Sequence, residues 1–275
     1  MSSSRRLQLI VIGCSIILFV LLFFANKKPE KKAAEDMPQR PATSTVDIKT
    51  VAETQISTLP DNLKKQFAEL EKNTADTNGI NIAVEFLKEQ KLYVAASYYF
   101  EKKADLINTT QAWINAGNRY FYATGFVREK AESASLYESA IKCFEKALAK
   151  DPNNLDAKIQ LASCYVEGSM DPMKGITMLK ELEKKDSNNV QVQMVLAQFA
   201  VKSGQLDKAE ARYQKILKIK PDYLEAYLFL ADVYEKKGDK AKTIEILEKY
   251  VILTPDKEIR AQIKVYIEQL KKSNV

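Results

Sequence analysis

The side chains that could carry chemistry in this 275-residue chain are three cysteines, 36 carboxylates and 42 basic groups; histidine is absent. Without histidine there is no Ser–His or Cys–His nucleophile pair, no imidazole general base and no His-ligated metal. Cys14, Cys143 and Cys164 lie too far apart for a Cys-x-x-Cys redox or zinc motif. Cys143 and Cys164 fall on helical patterns, where a free cysteine behaves as a small apolar residue. The eight glycines are scattered, and neither G-x-x-x-x-G-K-[ST] nor G-x-G-x-x-G occurs, so no loop is built to cradle phosphate. The carboxylates sit one helical turn from lysines, the pattern of a solvated, ion-paired surface. The residue types therefore imply no catalytic residue, no metal, no cofactor and no small-molecule substrate. A two-carboxylate site on regular helices is the one enzymatic alternative they leave. Net charge is +6, with eight basic and five acidic residues up to Leu59 and 34 against 31 beyond it. That near balance, with no basic stripe among aromatics, argues against a nucleic-acid partner.

What remains is binding by polar and aromatic side chains on helices, so the helices come next. In Leu224–Pro255, Ala226, Leu230 and Val233 lie at helical spacing, as do Ile244, Leu247 and Val251. Lys236-Lys237-Gly238-Asp239 between them is a charged turn with a helix-stopping glycine. Leu196-Ala197, Gly204, Ala209, Tyr213 and Pro221 precede Leu230-Ala231, Gly238, Thr243, Leu247 and Pro255 by 34 residues. The columns run further back. A small residue recurs in the first helix of each pair as Ala83, Gly117, Ala162, Ala197 and Ala231, and Phe86, Tyr120, Tyr165, Ala200 and Tyr234 follow three positions later. Second helices carry Ala95/Tyr99, Ala140/Phe144, Gly175/Leu179, Ala209/Tyr213 and Thr243/Leu247, a small residue and a bulky one a turn apart. Small residues let neighbouring helices approach, and the bulky side chain fills the space beside them.

This 34-residue helix–turn–helix period resembles the tetratricopeptide repeat. The resemblance covers about 76–256 and implies an all-α tetratricopeptide-type solenoid of about five repeats, near 76–109, 110–154, 155–189, 190–223 and 224–257. A capping helix is expected at 256–272, with Ile259, Ile263, Ile267 and Leu270 on one face. The repeat from Thr110 holds the family's Trp113, Gly117, Tyr120, Ala140 and Pro152, but its helices are separated by eleven extra residues within 124–135. Pro60-Asp61 reads as the start of a helix through Leu63, Phe67 and Leu70 that leans on the first repeat.

Such stacks line their concave side with first helices, and the resemblance places Ile114, Asn118, Phe121, Tyr122, Ile159, Ser163, Met194, Gln198, Leu228 and Asp232 there. Asn118, Ser163 and Gln198 share one column, flanked by Ile114, Ile159 and Met194. The pattern suits a protein partner or extended peptide, with amides reaching main-chain groups and apolar neighbours taking side chains. Asn118, Tyr122, Ser163, Met194, Gln198 and Asp232 are thus the candidate partner-binding residues, and the insertion at 125–135 is the second candidate surface. Only Asn118 matches the family's clamp for a terminal carboxylate, so that ligand is not expected.

The chain before the repeats divides into a short basic tail at 1–6, an uncharged apolar run at 7–25 and a Lys-, Pro- and Thr/Ser-rich tether at 26–59 expected to be disordered. As a helix, nineteen residues would span about 28 Å, close to the hydrocarbon thickness of a bilayer. The reading is a single transmembrane helix; a cleaved signal or lipidation at Cys14 are its alternatives. Lys27, Lys28, Lys31 and Lys32 after the run outnumber Arg5 and Arg6 before it, placing the 60–275 domain on the cytoplasmic face. Export anchors also begin with two arginines, which would place it outside. The expected function is a membrane-anchored scaffold or adaptor. The alternative is an assembly factor resembling the membrane-linked repeat proteins of bacterial cytochrome c maturation.

Overall fold

The computed structural model describes residues 46–168 and 171–272. The apolar run at 7–25 and the tether up to 45 lie outside these residues. Among the described residues the structure holds thirteen α-helices, one 3-10 turn and no strand, and no helix is long and apolar enough to cross a membrane. Two short helices, α1 (Ile48–Ser57) and α2 (Asp61–Lys72), precede the pairs α3 (Thr77–Glu89) with α4 (Tyr93–Ile107) and α5 (Thr110–Ala123) with α6 (Lys130–Lys150). Then come α7 (Leu155–Gly168) with α8 (Pro172–Lys185), α9 (Val190–Lys202) with α10 (Leu206–Ile219), and α11 (Leu224–Lys236) with α12 (Lys240–Leu253). Helix α13 (Lys257–Lys272) follows. The residues form two compact units, one up to Phe199 and one from Ala200, divided within α9.

Local chemistry sets the helix starts. Asp76, Thr109, Asn154, Asn189 and Asp239 each accept from the backbone N–H three residues on, satisfying a donor the helix itself cannot use. The turns Asp151-Pro152-Asn153-Asn154 and Asp186-Ser187-Asn188-Asn189 are built alike, each aspartate accepting from the N–H two residues on. Serine therefore replaces proline at 187 without altering the turn. Gly204 and Gly238 turn their chains with φ of +74°. Lys91 takes the same left-handed conformation, φ +59°, in a turn that has no glycine.

Packing follows the small-residue columns. A Cβ added to Gly117 would lie 2.7 Å from the ring of Phe144, so the ring fills the space the glycine leaves. One added to Gly175 would lie 2.3 Å from the Ala162 carbonyl oxygen, so α8 meets the α7 backbone with no room for a methyl group. In the first unit, Phe67 of α2 packs at 5.7 Å from Phe86 and edge-on to Tyr99. In the second, Tyr213 stacks on Phe229, and Leu230, Leu247, Tyr250 and Ile267 are buried.

Two segments differ from the sequence reading. Residues 48–57, expected to belong to a disordered tether, form α1, which packs on α4 and α6. Val51, Ala52 and Leu59 are buried, and this apolar area offsets the cost of ordering the segment. The Ala95 N–H donates to Gln55 Oε1, and the Val46 N–H to Ser135 Oγ. The insertion is also not a loose loop. Thr124–Phe126 is a 3-10 turn, and from Lys130 the extra residues lengthen α6 to 21 residues. Ser135 and Leu136 are buried, and the Tyr137 ring lies where a Cβ on Gly168 would be.

Alanine at Gly175 should therefore cost about 1–3 kcal/mol by overpacking, although alanine is intrinsically the better helix former by about 1 kcal/mol. Gly125, with nothing within 4 Å of an added Cβ, should tolerate alanine within about 0.5 kcal/mol. Urea midpoints of the two variants provide the check; equal midpoints would refute the α7–α8 contact.

Candidate functional site

Three first helices of the first unit, α5, α7 and α9, are neighbours: α5 touches α7, and Ile159 and Ala162 of α7 share a core cluster with Val192, Leu196 and Phe199 of α9. Each presents one face between its buried small-residue column and solvent. Asn118 and Tyr122 sit one turn apart on α5, Ser163 on α7, and Met194 and Gln198 one turn apart on α9. Asp232, on α11, belongs to the second unit.

These residues are not equivalent once packed. Asn118 and Gln198 are half-buried, and among the described residues neither amide has a hydrogen-bond partner. Ser163, between them in the column, is only 6% exposed, and its hydroxyl donates to the Ile159 carbonyl at 3.0 Å. Ile114, Ile159 and Met194 are buried too, so they form the floor of the face rather than its contact surface. Tyr122 is 55% exposed. It meets two rings: Tyr93 of α4, which the sequence reading did not name, and Phe126 of the 3-10 turn, inside the insertion at 125–135 that it gave as the second candidate surface. The centroids are 6.0 Å apart for Tyr93–Tyr122, 4.9 Å for Tyr122–Phe126 and 4.1 Å for Tyr93–Phe126. The signal was present in the sequence as aromatics at the ends of consecutive helices, but they come from two different repeats.

The tyrosine column has a second use. Tyr120 donates to Glu101 at 2.5 Å, Tyr165 to Glu145 at 3.1 Å and Tyr234 to Glu210 at 3.1 Å. In each case a first helix is tied to the second helix of the preceding repeat. Burial, then the charge of Glu101, drives the Tyr120 phenol far above its ordinary range, so it stays a donor. Lys237 donates to Asp207 and to Glu210, and its bond to Glu210 is the main cause holding that carboxyl below its ordinary value.

Among the described residues no group of three carboxylate or cysteine side chains could hold a metal ion. Cys143 and Cys164 are buried, and burial pushes both thiols well above their ordinary range, away from nucleophilic chemistry. Open clefts of the first unit include one of about 320 Å³ between α1, α2 and α4, with Glu53, Glu71 and Lys102, and one of about 250 Å³ beside Asn153, Lys158 and Asn189.

With this geometry in hand, the likeness to known proteins is specific. A family model described as the tetratricopeptide repeat matches residues 133–199, 171–222 and 200–263. The stretch 133–263 is thus built of tetratricopeptide repeats, and the all-α architecture is of that type. The chain is similar to uncharacterized protein ycf37 of Cyanophora paradoxa, with 29% identity over 129 residues, 46% of this chain and 72% of that protein. Among solved structures, TTC0263, a thermophilic TPR protein from Thermus thermophilus, matches at 18% identity and a TM-score of 0.50, covering 68% of this chain and 95% of that one. YrrB, described as a TPR protein with an unusual peptide-binding site, matches at 21% identity and a TM-score of 0.42, covering 72% and 97%.

In the second unit Asp232 pairs with Lys236, yet burial outweighs that pairing and pushes its carboxyl above the ordinary aspartate value of 3.8. A carboxyl whose folded-state value is raised favours folding while protonated. Its contribution is largest below the unfolded value and is lost as pH rises through the folded one. Asp232→Asn removes this loss. The variant's urea midpoint should gain on the parent's as pH rises above about 4; a pH-independent gap would refute the assignment.

Proposed function

We propose that this chain is a membrane-anchored scaffold. It holds a partner protein, through an extended segment, against the face that carries Asn118, Tyr122 and Gln198. The observation that carries the reading is the pair of half-buried amides on α5 and α9 with no partner among the described residues. An amide can give and accept at once, so each matches a main-chain N–H and C=O of an extended chain. Binding such a chain satisfies groups the fold itself does not. Tyr122 adds apolar area with a polar tip, the combination that contributes most at protein interfaces. Ser163 and Met194 support the face from below; Asp232, on the second unit, is a separate candidate contact residue and no part of this face.

The anchoring part rests on the uncharged run at 7–25, long enough for a bilayer. The Lys/Arg count favours the cytoplasmic face for the repeats. Flotation of the full chain with phosphatidylcholine vesicles tests it, and a chain extracted by carbonate would not be an integral membrane protein.

The face is tested by placing a photo-crosslinking phenylalanine analogue at Tyr122, or at the exposed Glu181 of α8, in the full chain in native membranes. A discrete adduct is expected from the first position only. Asn118→Ala with Gln198→Ala should lower its yield about tenfold, the worth of two hydrogen bonds of ~0.7 kcal/mol each, with an unchanged thermal midpoint. Adducts formed equally from both positions would move the partner to another face.

A further inference from the structure

Helices α1 and α2 lie outside the repeat period, and with α4 they enclose the cleft of about 320 Å³. Helix α1 packs on α4 and α6, and α2 on α3, so each is held by the repeats and a space is left between them. Its volume falls within the roughly 300–1,000 Å³ of small-ligand sites. Ala52 and Ile56 of α1 and the rings of Tyr98 and Tyr99 of α4 give it apolar walls.

Its charged groups leave one cation over. Lys49, Lys64 and Lys102 line the cleft together with Glu53 and Glu71. Glu53 has Lys49 at 3.7 Å, Glu71 accepts from the Tyr99 phenol, and Lys64 reaches Asp61 at 3.5 Å. The acids on the same helix as Lys102 are taken as well, Glu101 by Tyr120 and Asp105 by Lys146. Lys102, half-buried, has only ring faces: its ammonium lies 5.0 Å from the Tyr98 centroid and 4.6 Å from that of Tyr99. Among the described residues no carboxylate pairs with it. A ring face attracts a cation without using up its N–H donors. The half-buried Tyr98 phenol also has no hydrogen-bond partner among the described residues, and burial raises it above its ordinary value, so it stays a donor.

We propose that this cleft binds a single carboxylate carried on an apolar stem, with Lys102 and Tyr98 donating to its oxygens. The stem lies against Ala52 and Ile56. A phosphate dianion fits less well, because its second charge would meet Glu53 and Glu71. The same chemistry comes from a small free acid and from an acidic side chain beside an apolar one in a polypeptide. An occupant touches α1 and α4 at once, so binding adds to the stability of packed α1. The cleft shares no residue with the Asn118–Gln198 face, and the proposal does not rest on that face.

The test uses the full chain in phosphatidylcholine nanodiscs, with empty discs as the blank. Two probes are titrated by calorimetry: 3-phenylpropanoate, and a Leu-Glu-Leu peptide blocked at both ends. Binding of the first alone supports the site with a small acid as its ligand; binding of the peptide supports it with a polypeptide. With the probe at about ten times its Kd, amide hydrogen exchange within Ile48–Ser57 should slow about tenfold, since opening α1 empties the cleft. Lys102→Gln should weaken binding about tenfold and Tyr98→Phe about threefold, whereas Lys102→Arg, which keeps the charge, should stay within about threefold of the parent. Far-UV circular dichroism and thermal midpoints without probe confirm that each variant is folded. No binding of either probe at millimolar concentration overturns the proposal. So does equal binding of the uncharged 3-phenylpropanamide, unchanged binding in Lys102→Gln, tighter binding of inorganic phosphate, or binding that leaves α1 exchange as it was. None of these outcomes bears on the crosslink at Tyr122, and failure of that crosslink leaves the cleft standing.

Discussion

Helix pairs here meet along columns of small residues, and at two of those positions even a methyl group would be too much. The Gly175 Cα faces the Ala162 carbonyl closely enough that a Cβ would fall 2.3 Å from its oxygen, and Gly117 faces Phe144 in the same manner. Ala83, Ala162, Ala197 and Ala231 are buried in the corresponding positions of other repeats. With the interhelix distance kept short by these small residues, side chains one turn away have a gap to fill, and Phe144, Leu179 and Tyr213 fill it. The exposed face of each first helix is then a consequence: what lies on the far side of the small-residue column is what a partner can reach.

Side-chain bonds between repeats add direction to this packing. The phenols of Tyr120, Tyr165 and Tyr234 each reach back to a glutamate on the preceding second helix. A tyrosine suits the place because its ring is rigid and apolar while its tip needs a hydrogen-bond partner. At the C-terminal end Tyr266 of α13 repeats the device with Glu235, and at the N-terminal end Tyr99 does so with Glu71 of α2. The flanking helices are thus joined to their neighbours by the same chemistry that joins repeat to repeat.

Helix α1 changes how the chain before the repeats is to be understood. It lies on α4 and α6, and the lengthened α6 offers Ser135 to the Val46 backbone. The stretch expected as a tether at 26–59 therefore contains a packed helix, Ile48–Ser57. Insertion and helix explain each other: without the extra turns of α6, α1 would lack part of its footing.

The sequence by itself determined the helix pairs, because a 34-residue period, buried small residues and turn glycines are local facts repeated often enough to be read without coordinates. It also placed Phe67 on a helix against the first repeat, where that ring now meets Phe86 and Tyr99. It could not show α1, whose burial depends on Ala95 and Ser135, forty and more residues away. Nor could it show that the insertion is helical, since Tyr137 is held against Gly168 of the next repeat. The proposed partner-face column was legible as Asn118, Ser163 and Gln198, but their hydrogen-bonding capacity was not. Only the tertiary structure returned the Ser163 hydroxyl to its own helix, sank Ile114, Ile159 and Met194 into the floor, and left two amides unspent. It alone brought Tyr93, Tyr122 and Phe126 together. A repeat period fixes which residues share a column, whereas exposure and ring contact depend on how closely neighbouring columns are pressed, and that distance is set by helices far apart in the chain.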